Sequence, residues 1–169
     1  MKFIKRGNKR ICQLVSPLLC INIMIRSAEK REYSTLSQLW LRVSIHTHHF
    51  IPAKYWMENV HDMETLYLPQ ADNWIYTEKN KIYGFISVYD GHIAALFVDM
   101  PYQRHGIGKT LLDFVKDKYL VNLTLNVYKE NSQAVYFYLK NGFIIKEEAT
   151  DIQTGHQEYI MQYCNNNYR

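Results

Sequence analysis

Three cysteines in 169 residues, Cys12, Cys20 and Cys164, are an odd number without close-pair spacing. A disulfide framework and a cysteine-based zinc site are not indicated, and a reducing cytoplasm is the compartment this usage fits. Long apolar runs are also missing. The stretch from Ile11 to Ile25 is broken by Gln13, Ser16, Pro17 and Asn22, which leaves it too short and interrupted to span a bilayer. Clustered positive charge is absent from the body of the chain. The formal charge is +4, yet Lys2, Lys5, Arg6, Lys9 and Arg10 all precede the first acid, Glu29, and the remainder is nearly neutral. A nucleic-acid footprint therefore has no support in overall charge. His46, His48 and His49 have no helical His-x-x-x-His spacing and no nearby cysteine, so no metal is expected.

What is present is one domain's worth of chain with abundant aromatics, enough to bury a core. Residues 1–23 read as an N-terminal extension outside the fold. Their basic start and apolar run have the shape of a signal peptide, but no small-x-small cleavage site follows. The expectation is that Met24 is the natural start and that residues 24–169 form a single domain, with no repeat, low-complexity tract or linker.

Met24 to Ala28 reads as a first strand. Leu36, Leu39, Trp40 and Val43 recur at helical spacing behind Ser34 and Thr35, which can cap the start. After a His-rich link, Pro52 can occupy the first turn of a second helix running through Trp56, Val60, Met63 and Tyr67. Trp74–Tyr76 and Ile82–Tyr89 read as strands joined at Lys79-Asn80-Lys81. Asp90-Gly91 predicts a two-residue hairpin loop into a strand ending at Val98. Helices are expected at about 107–119 and 132–140, strands at 123–127, 143–145 and 159–163, and a polar loop from Thr150 to His156. The sum is β-α-α-β-β-β-α-β-α-β-β, an α/β fold around a mixed, mostly antiparallel central sheet with helices on both faces.

The chemistry concentrates where the strand ending at Val98 meets the next helix, through Gln103-Arg104-His105-Gly106-Ile107-Gly108-Lys109. Gly106 and Gly108 lack Cβ atoms, so backbone N–H groups can converge at the positive end of the helix, where a phosphate is stabilised. The same Gly-x-Gly also suits an ordinary tight turn. Gly108-Lys109-Thr110 lacks the earlier glycine of a Walker loop, and the loop follows a hairpin rather than opening a βαβ unit. ATP and NAD are disfavoured on those grounds.

That element order, the Gln103–Gly108 loop, and Asn131-Ser132-Gln133-Ala134-Val135-Tyr136-Phe137-Tyr138 followed by Gly142-Phe143 resemble the GNAT superfamily of acetyl-CoA-dependent N-acetyltransferases. His48-His49-Phe50-Ile51, Tyr55-Trp56 and Asn73-Trp74 resemble its YiaC/YjaB branch of small bacterial enzymes. The resemblance implies that acetyl-CoA is a co-substrate, with backbone N–H groups from Arg104 through Lys109 on its pyrophosphate. It implies a pantetheine arm pairing with Leu96, Phe97 and Val98, where the fourth and fifth strands splay apart, like an added strand. A backbone N–H near Phe97 or Val98 would polarise the thioester oxygen. Asn131 matches the family's CoA-contacting Asn. Tyr138 matches the Tyr that protonates the departing thiolate, a nearly balanced transfer at ordinary acidities.

The nucleophile implied is a primary amine, of a protein lysine, an N-terminus or a small molecule, attacking in a ternary complex. An ammonium cannot attack, so a proton acceptor is needed. His48 is the leading candidate, with Glu58, Asp99 and His156 behind it. His48 as a helix cap or backbone partner is an equal alternative. Phe50, Trp56 and Trp74 are candidate acceptor-binding residues, and both tryptophans suit the core equally well. A silent acyl-CoA sensor of the same fold is the competing reading, against which the presence of Tyr138 weighs. No membrane partner is expected, and the chain is read as a monomer or homodimer.

Overall fold

The computed structural model describes residues 23–165, so the extension expected over residues 1–23 lies, except for Ile23, outside the described residues. Strand β1 (Ile23–Ser27) is followed by helices α1 (Tyr33–Thr47) and α2 (Ala53–Asp62). The second helix continues through a π-helical turn, Met63–Tyr67, into the short α3 (Leu68–Gln70). An antiparallel meander comes next: β2 (Asp72–Glu78), β3 (Lys81–Tyr89) and β4 (His92–Val98). Then α4 (Ile107–Lys118) crosses to β5 (Leu123–Tyr128), and α5 (Ser132–Lys140) leads to β6 (Ile144–Thr150) and β7 (Gln157–Tyr163).

The expected element order is the observed one. Both tight turns of the meander, Lys79-Asn80 (φ 49° and 64°) and Asp90-Gly91 (φ 47° and 75°), have two left-handed residues, the geometry that matches the twist of the flanking strands. Two details differ. Pro52 precedes α2 in extended conformation (φ −54°, ψ 133°) rather than lying within its first turn. Strand β6 runs on to Thr150 instead of stopping at Ile145, because it is an edge strand whose solvent-facing Lys146-Glu147-Glu148 and bulge after Ile145 hide the alternation.

The seven strands form one sheet in the order β1-β2-β3-β4-β5-β7-β6. Helix α1 and the π turn cover one face, packing Leu36, Leu39, Val43 and Met63 on Ile75, Phe85 and Ala95. Helix α4 covers the other with Ile107, Leu111, Leu112 and Val115 on Ile86, Val88, Ile93 and Leu125. Each such fully buried aliphatic side chain contributes roughly 1.5–3 kcal/mol.

All neighbouring strands are antiparallel except β4 and β5, which are parallel and share a single register pair, His92 with Thr124. On its other side β5 pairs with β7 over six positions, from Leu123 to Tyr128. The sheet is thus held together at the start of β4 and open toward its end. That gap positions everything below.

Candidate active site

From Ile93 to Val98, β4 has no ladder partner on the β5 side, so backbone donors and acceptors face the gap. On its other side, β3 approaches closely at Gly84. A Cβ there would lie 2.8 Å from the Phe97 carbonyl oxygen, so only glycine lets the two strands meet at the residues bordering the gap. Leu96 and Val98 face α4, while Phe97 faces α1 and stacks on Phe85 with ring centroids 5.8 Å apart. Gln103 folds back to donate from Nε2 to the Val98 carbonyl at 2.9 Å.

The loop beyond leaves the start of α4 open to an anion. Arg104 (φ 63°) and Gly106 (φ 83°) are both left-handed, and His105 Nδ1 sits 2.8 Å from the Gln103 carbonyl, an acceptor that requires the proton on Nδ1. No side chain caps α4, so its first-turn N–H groups at Ile107, Gly108 and Lys109 are available to an anion. A Cβ on Gly106 would meet nothing within 4 Å. A Cβ on Gly108 would lie 3.7 Å from Phe137 and Val98, an ordinary packing distance, which places Gly108 beside α5 and the end of β4. Lys109 pairs with Asp113 one turn on at the exposed surface.

His48 lies just past the end of α1, its backbone N–H donating to the Ser44 carbonyl at 2.9 Å. Its ring stacks on Trp56 (5.2 Å, 30°) and meets Tyr128 and Phe50 edge-on at 5.3 and 5.7 Å. Burial, reinforced by neighbouring His49, lowers its pKa to about 4, so the imidazole is neutral at pH 7. Nε2 contacts Asn131 Nδ2 at 3.2 Å. Asn131 is the N-cap of α5, its Oδ1 accepting from the Ala134 N–H at 3.1 Å. That bond orients the amide, making Nδ2 the donor toward His48.

Trp56 is buried and carries His48 on its face. Its Nε1 is a buried donor with no partner among the described residues, and its ring meets Trp40 and Tyr55 edge-on. It is a core side chain that also backs the His48 ring. Trp74 is not part of this group. It lies on the α4 face, packs on Phe114 at 5.0 Å and donates from Nε1 to the Tyr119 hydroxyl at 3.1 Å. The expectation that Trp74 borders the acceptor fails because strand parity puts it in line with Ile86 and Leu96, on the opposite face from His48.

Tyr138 is buried on α5 between Phe137 and Phe143, at 5.2 and 5.5 Å. Burial alone pushes its phenol well above the ordinary tyrosine range. The near balance with a thiol expected from ordinary acidities therefore does not hold in the free protein, where Tyr138 is held protonated.

The weaker base candidates are engaged elsewhere. Asp99 forms a bidentate ion pair with Arg42 (3.0 and 2.9 Å) that holds its carboxyl below the usual range. Glu58 is exposed beside Lys54. His156 Nδ1 sits 2.9 Å from Glu130, with its ring 5.1 Å from Phe50. Sequence reasoning missed Tyr128, whose hydroxyl donates to Asp151 and whose phenol pKa is raised by burial and by that carboxylate. It also missed Gln153, which accepts from the Tyr55 hydroxyl at 2.7 Å and ties the β6–β7 loop to α2. Only the alternation of β5, which turns Tyr128 away from Leu125 and Val127, could have indicated the first. Among the described residues no group of three His, Cys, Asp or Glu is placed to hold a metal, and no helix is long and apolar enough to cross a membrane.

A mixed sheet opened between two parallel strands, with an uncapped helix N-terminus beside the opening, is the architecture of an acyl-CoA-dependent transferase. Residues 44–162 match the Acetyltransferase (GNAT) domain family. The chain is 36% identical over 141 residues to the peptidyl-lysine N-acetyltransferase YiaC of Escherichia coli K12, covering 83% of this chain and 96% of that one. It is 33% identical over 133 residues to the peptidyl-lysine N-acetyltransferase YjaB of the same organism, covering 77% and 89%. The solution structure of apo YjaB from Escherichia coli superimposes with a TM-score of 0.74 at 29% identity, covering 83% of this chain and 97% of that one. This chain belongs to the GNAT acetyltransferase family and is an acetyl-CoA-dependent N-acetyltransferase.

Proposed function

We propose that the acceptor is the side-chain amine of a protein lysine. The observation that carries this reading is the group of His48, Phe50, Trp56 and Tyr128, joined through Asn131 to the open end of the β4–β5 gap. Aromatic faces suit a lysine's alkyl stem and its charged end, and the names of the two bacterial relatives point the same way.

Acetyl-CoA supplies an activated acyl group as a thioester, and the residues present fit it. The unpaired edge of β4 at Leu96, Phe97 and Val98 suits an extended amide-bearing arm. Open space at Gly106, with the N–H groups of Arg104, His105, Ile107, Gly108 and Lys109 around it, suits a pyrophosphate. Gln103 holds the end of β4 in place, and Asn131 offers an amide at the mouth of the gap. A lysine ammonium must lose two protons to become an amide. His48 Nε2 takes one before attack and passes it to water. The second replaces the proton that Tyr138 gives to the leaving sulfur. Phe50 and Trp56 hold the acceptor's stem; Trp74 has no part. The chain acts in the reducing cytoplasm that its cysteine usage suits, as a monomer or homodimer, without nucleic acid or membrane. Residues 24–169 form the one catalytic domain, with Ile23 as the first position of its strand β1.

Incubation with labelled acetyl-CoA and a bacterial proteome, alongside free polyamines, tests the acceptor by mass spectrometry. Label on lysine side chains is the expected result. Label confined to N-termini or small amines would replace it.

A further inference from the structure

The contact between His48 and Asn131 belongs to a complete donor–acceptor chain. Thr47 Oγ1 donates to the Val43 carbonyl at 2.8 Å, so its oxygen remains free to accept. His48 Nδ1 stands 3.5 Å from it, and Nε2 accepts from Asn131 Nδ2 at 3.2 Å. Asn131 Oδ1 in turn accepts from the Ala134 N–H. Every group then has one consistent role, and the imidazole is the Nδ1–H tautomer with its only lone pair already used.

The chain also spans the gap. Helix α1 packs on β4, whereas Asn131 follows β5 by three residues and begins α5. Since β4 and β5 are otherwise paired only at His92 and Thr124, the bond between His48 and Asn131 straps the open end of the gap from one side to the other. The edge-on contacts of Tyr128 with His48 and Phe50 reinforce it.

We propose that Asn131 is a latch on His48: closed in the free enzyme, it occupies Nε2 and straps the gap, and it opens when the gap is filled, freeing Nε2 to take the acceptor's proton. Asn131 is thus a positioning residue that makes His48 competent only when the acyl donor is seated. This rests on the reading of His48 as the proton acceptor. The titratable groups around His48 are His49 beside it, Tyr55 of α2, Tyr128 of β5 with Asp151 behind it, and the Glu130–His156 pair beyond Phe50. Those groups stay in place when the latch is removed, so a change in His48 alone reports the latch.

The test uses the full chain with 15N-labelled histidine. The His48 imidazole is followed by NMR against pH in three states: free, saturated with desulfo-CoA, and as the Asn131→Ser variant. Serine keeps an oxygen for the Ala134 N–H but cannot reach His48, and Asn131→Thr, which also keeps the cap and adds no charge, guards against a folding defect in the first variant. In the free wild type Nε2 should carry the signature of a hydrogen-bonded acceptor. Desulfo-CoA and each variant should remove that signature and make His48 bind its proton about ten-fold more tightly, the scale of one lost hydrogen bond to the neutral ring. An unchanged Nε2 signal and titration midpoint in all states would overturn the latch. The reading beneath it is checked separately: wild-type turnover in His48→Gln would remove His48 as proton acceptor while leaving the NMR result to stand on its own.

Discussion

His48 and Asn131, 83 positions apart in sequence, meet at 3.2 Å across the mouth of the only gap in the sheet among the described residues. The contact joins the proposed acceptor side of the site, built by α1 and α2, to the proposed donor side, built by β4, α4 and α5. The consequences divide accordingly.

On the donor side, Tyr138→Phe deletes a hydroxyl that bonds to nothing among the described residues and leaves the buried ring packed on Phe137 and Phe143. Its stability should be close to wild type. Steady-state kinetics should show kcat lowered about 100-fold or more with the acetyl-CoA KM little changed, as expected for a proton donor needed mainly in the transition state. Wild-type kcat would remove the acid role.

Gly106→Val addresses the cradle. The residue is left-handed at φ 83° and its Cβ would enter open space, so valine brings both backbone strain of about 1–2 kcal/mol and a branched side chain at the anion site. Calorimetric titration should show weakened acetyl-CoA binding alongside a lowered Tm. Unchanged affinity would mean that the pyrophosphate lies elsewhere.

On the acceptor side, pH dependence follows from His48. Its folded pKa of about 4 lies below the unfolded value, so the native state favours the neutral ring. That contribution is fully present above pH 6.5 and is lost as pH falls toward 4, with a total on the order of 3 kcal/mol. Urea unfolding between pH 7 and 4.5 should therefore show a shallower loss of stability in His48→Gln than in wild type. Parallel curves would contradict the buried, neutral assignment.

The two faces of the sheet separate Phe50 from Trp74. Phe50→Ala should raise the KM for a lysine peptide. Trp74→Phe should cost about 1 kcal/mol of stability through the lost bond to Tyr119, with peptide KM unchanged in the same assay.

Much of this arrangement was legible in the residues. Asp90-Gly91 announced the hairpin that delivers β4, Gly106 and Gly108 the loop that opens α4, and Asn131 with Tyr138 the helix behind it, because turn chemistry and helical period are local. Strand β6 was read short because an edge strand needs no apolar alternation. Trp74 and Trp56 looked alike because parity along a strand reveals that neighbouring residues alternate, not which helix will cover which face. For Tyr128 the alternation of β5 signals only which face it takes. Its contacts with His48 and Phe50 exist only once β5 and the segment after α1 have been brought together by the whole sheet.

A silent acyl-CoA sensor would share the gap, the cradle and the fold, so turnover is what separates the two accounts. The direct measurement is release of free CoA thiol by the purified chain with a lysine-containing peptide, as initial rates over a grid of both substrates. Intersecting lines, with each thiol released matched by one acetyl group on a lysine, are the predicted result for attack in a ternary complex. Tight acetyl-CoA binding without thiol release on any peptide, protein or amine would contradict it.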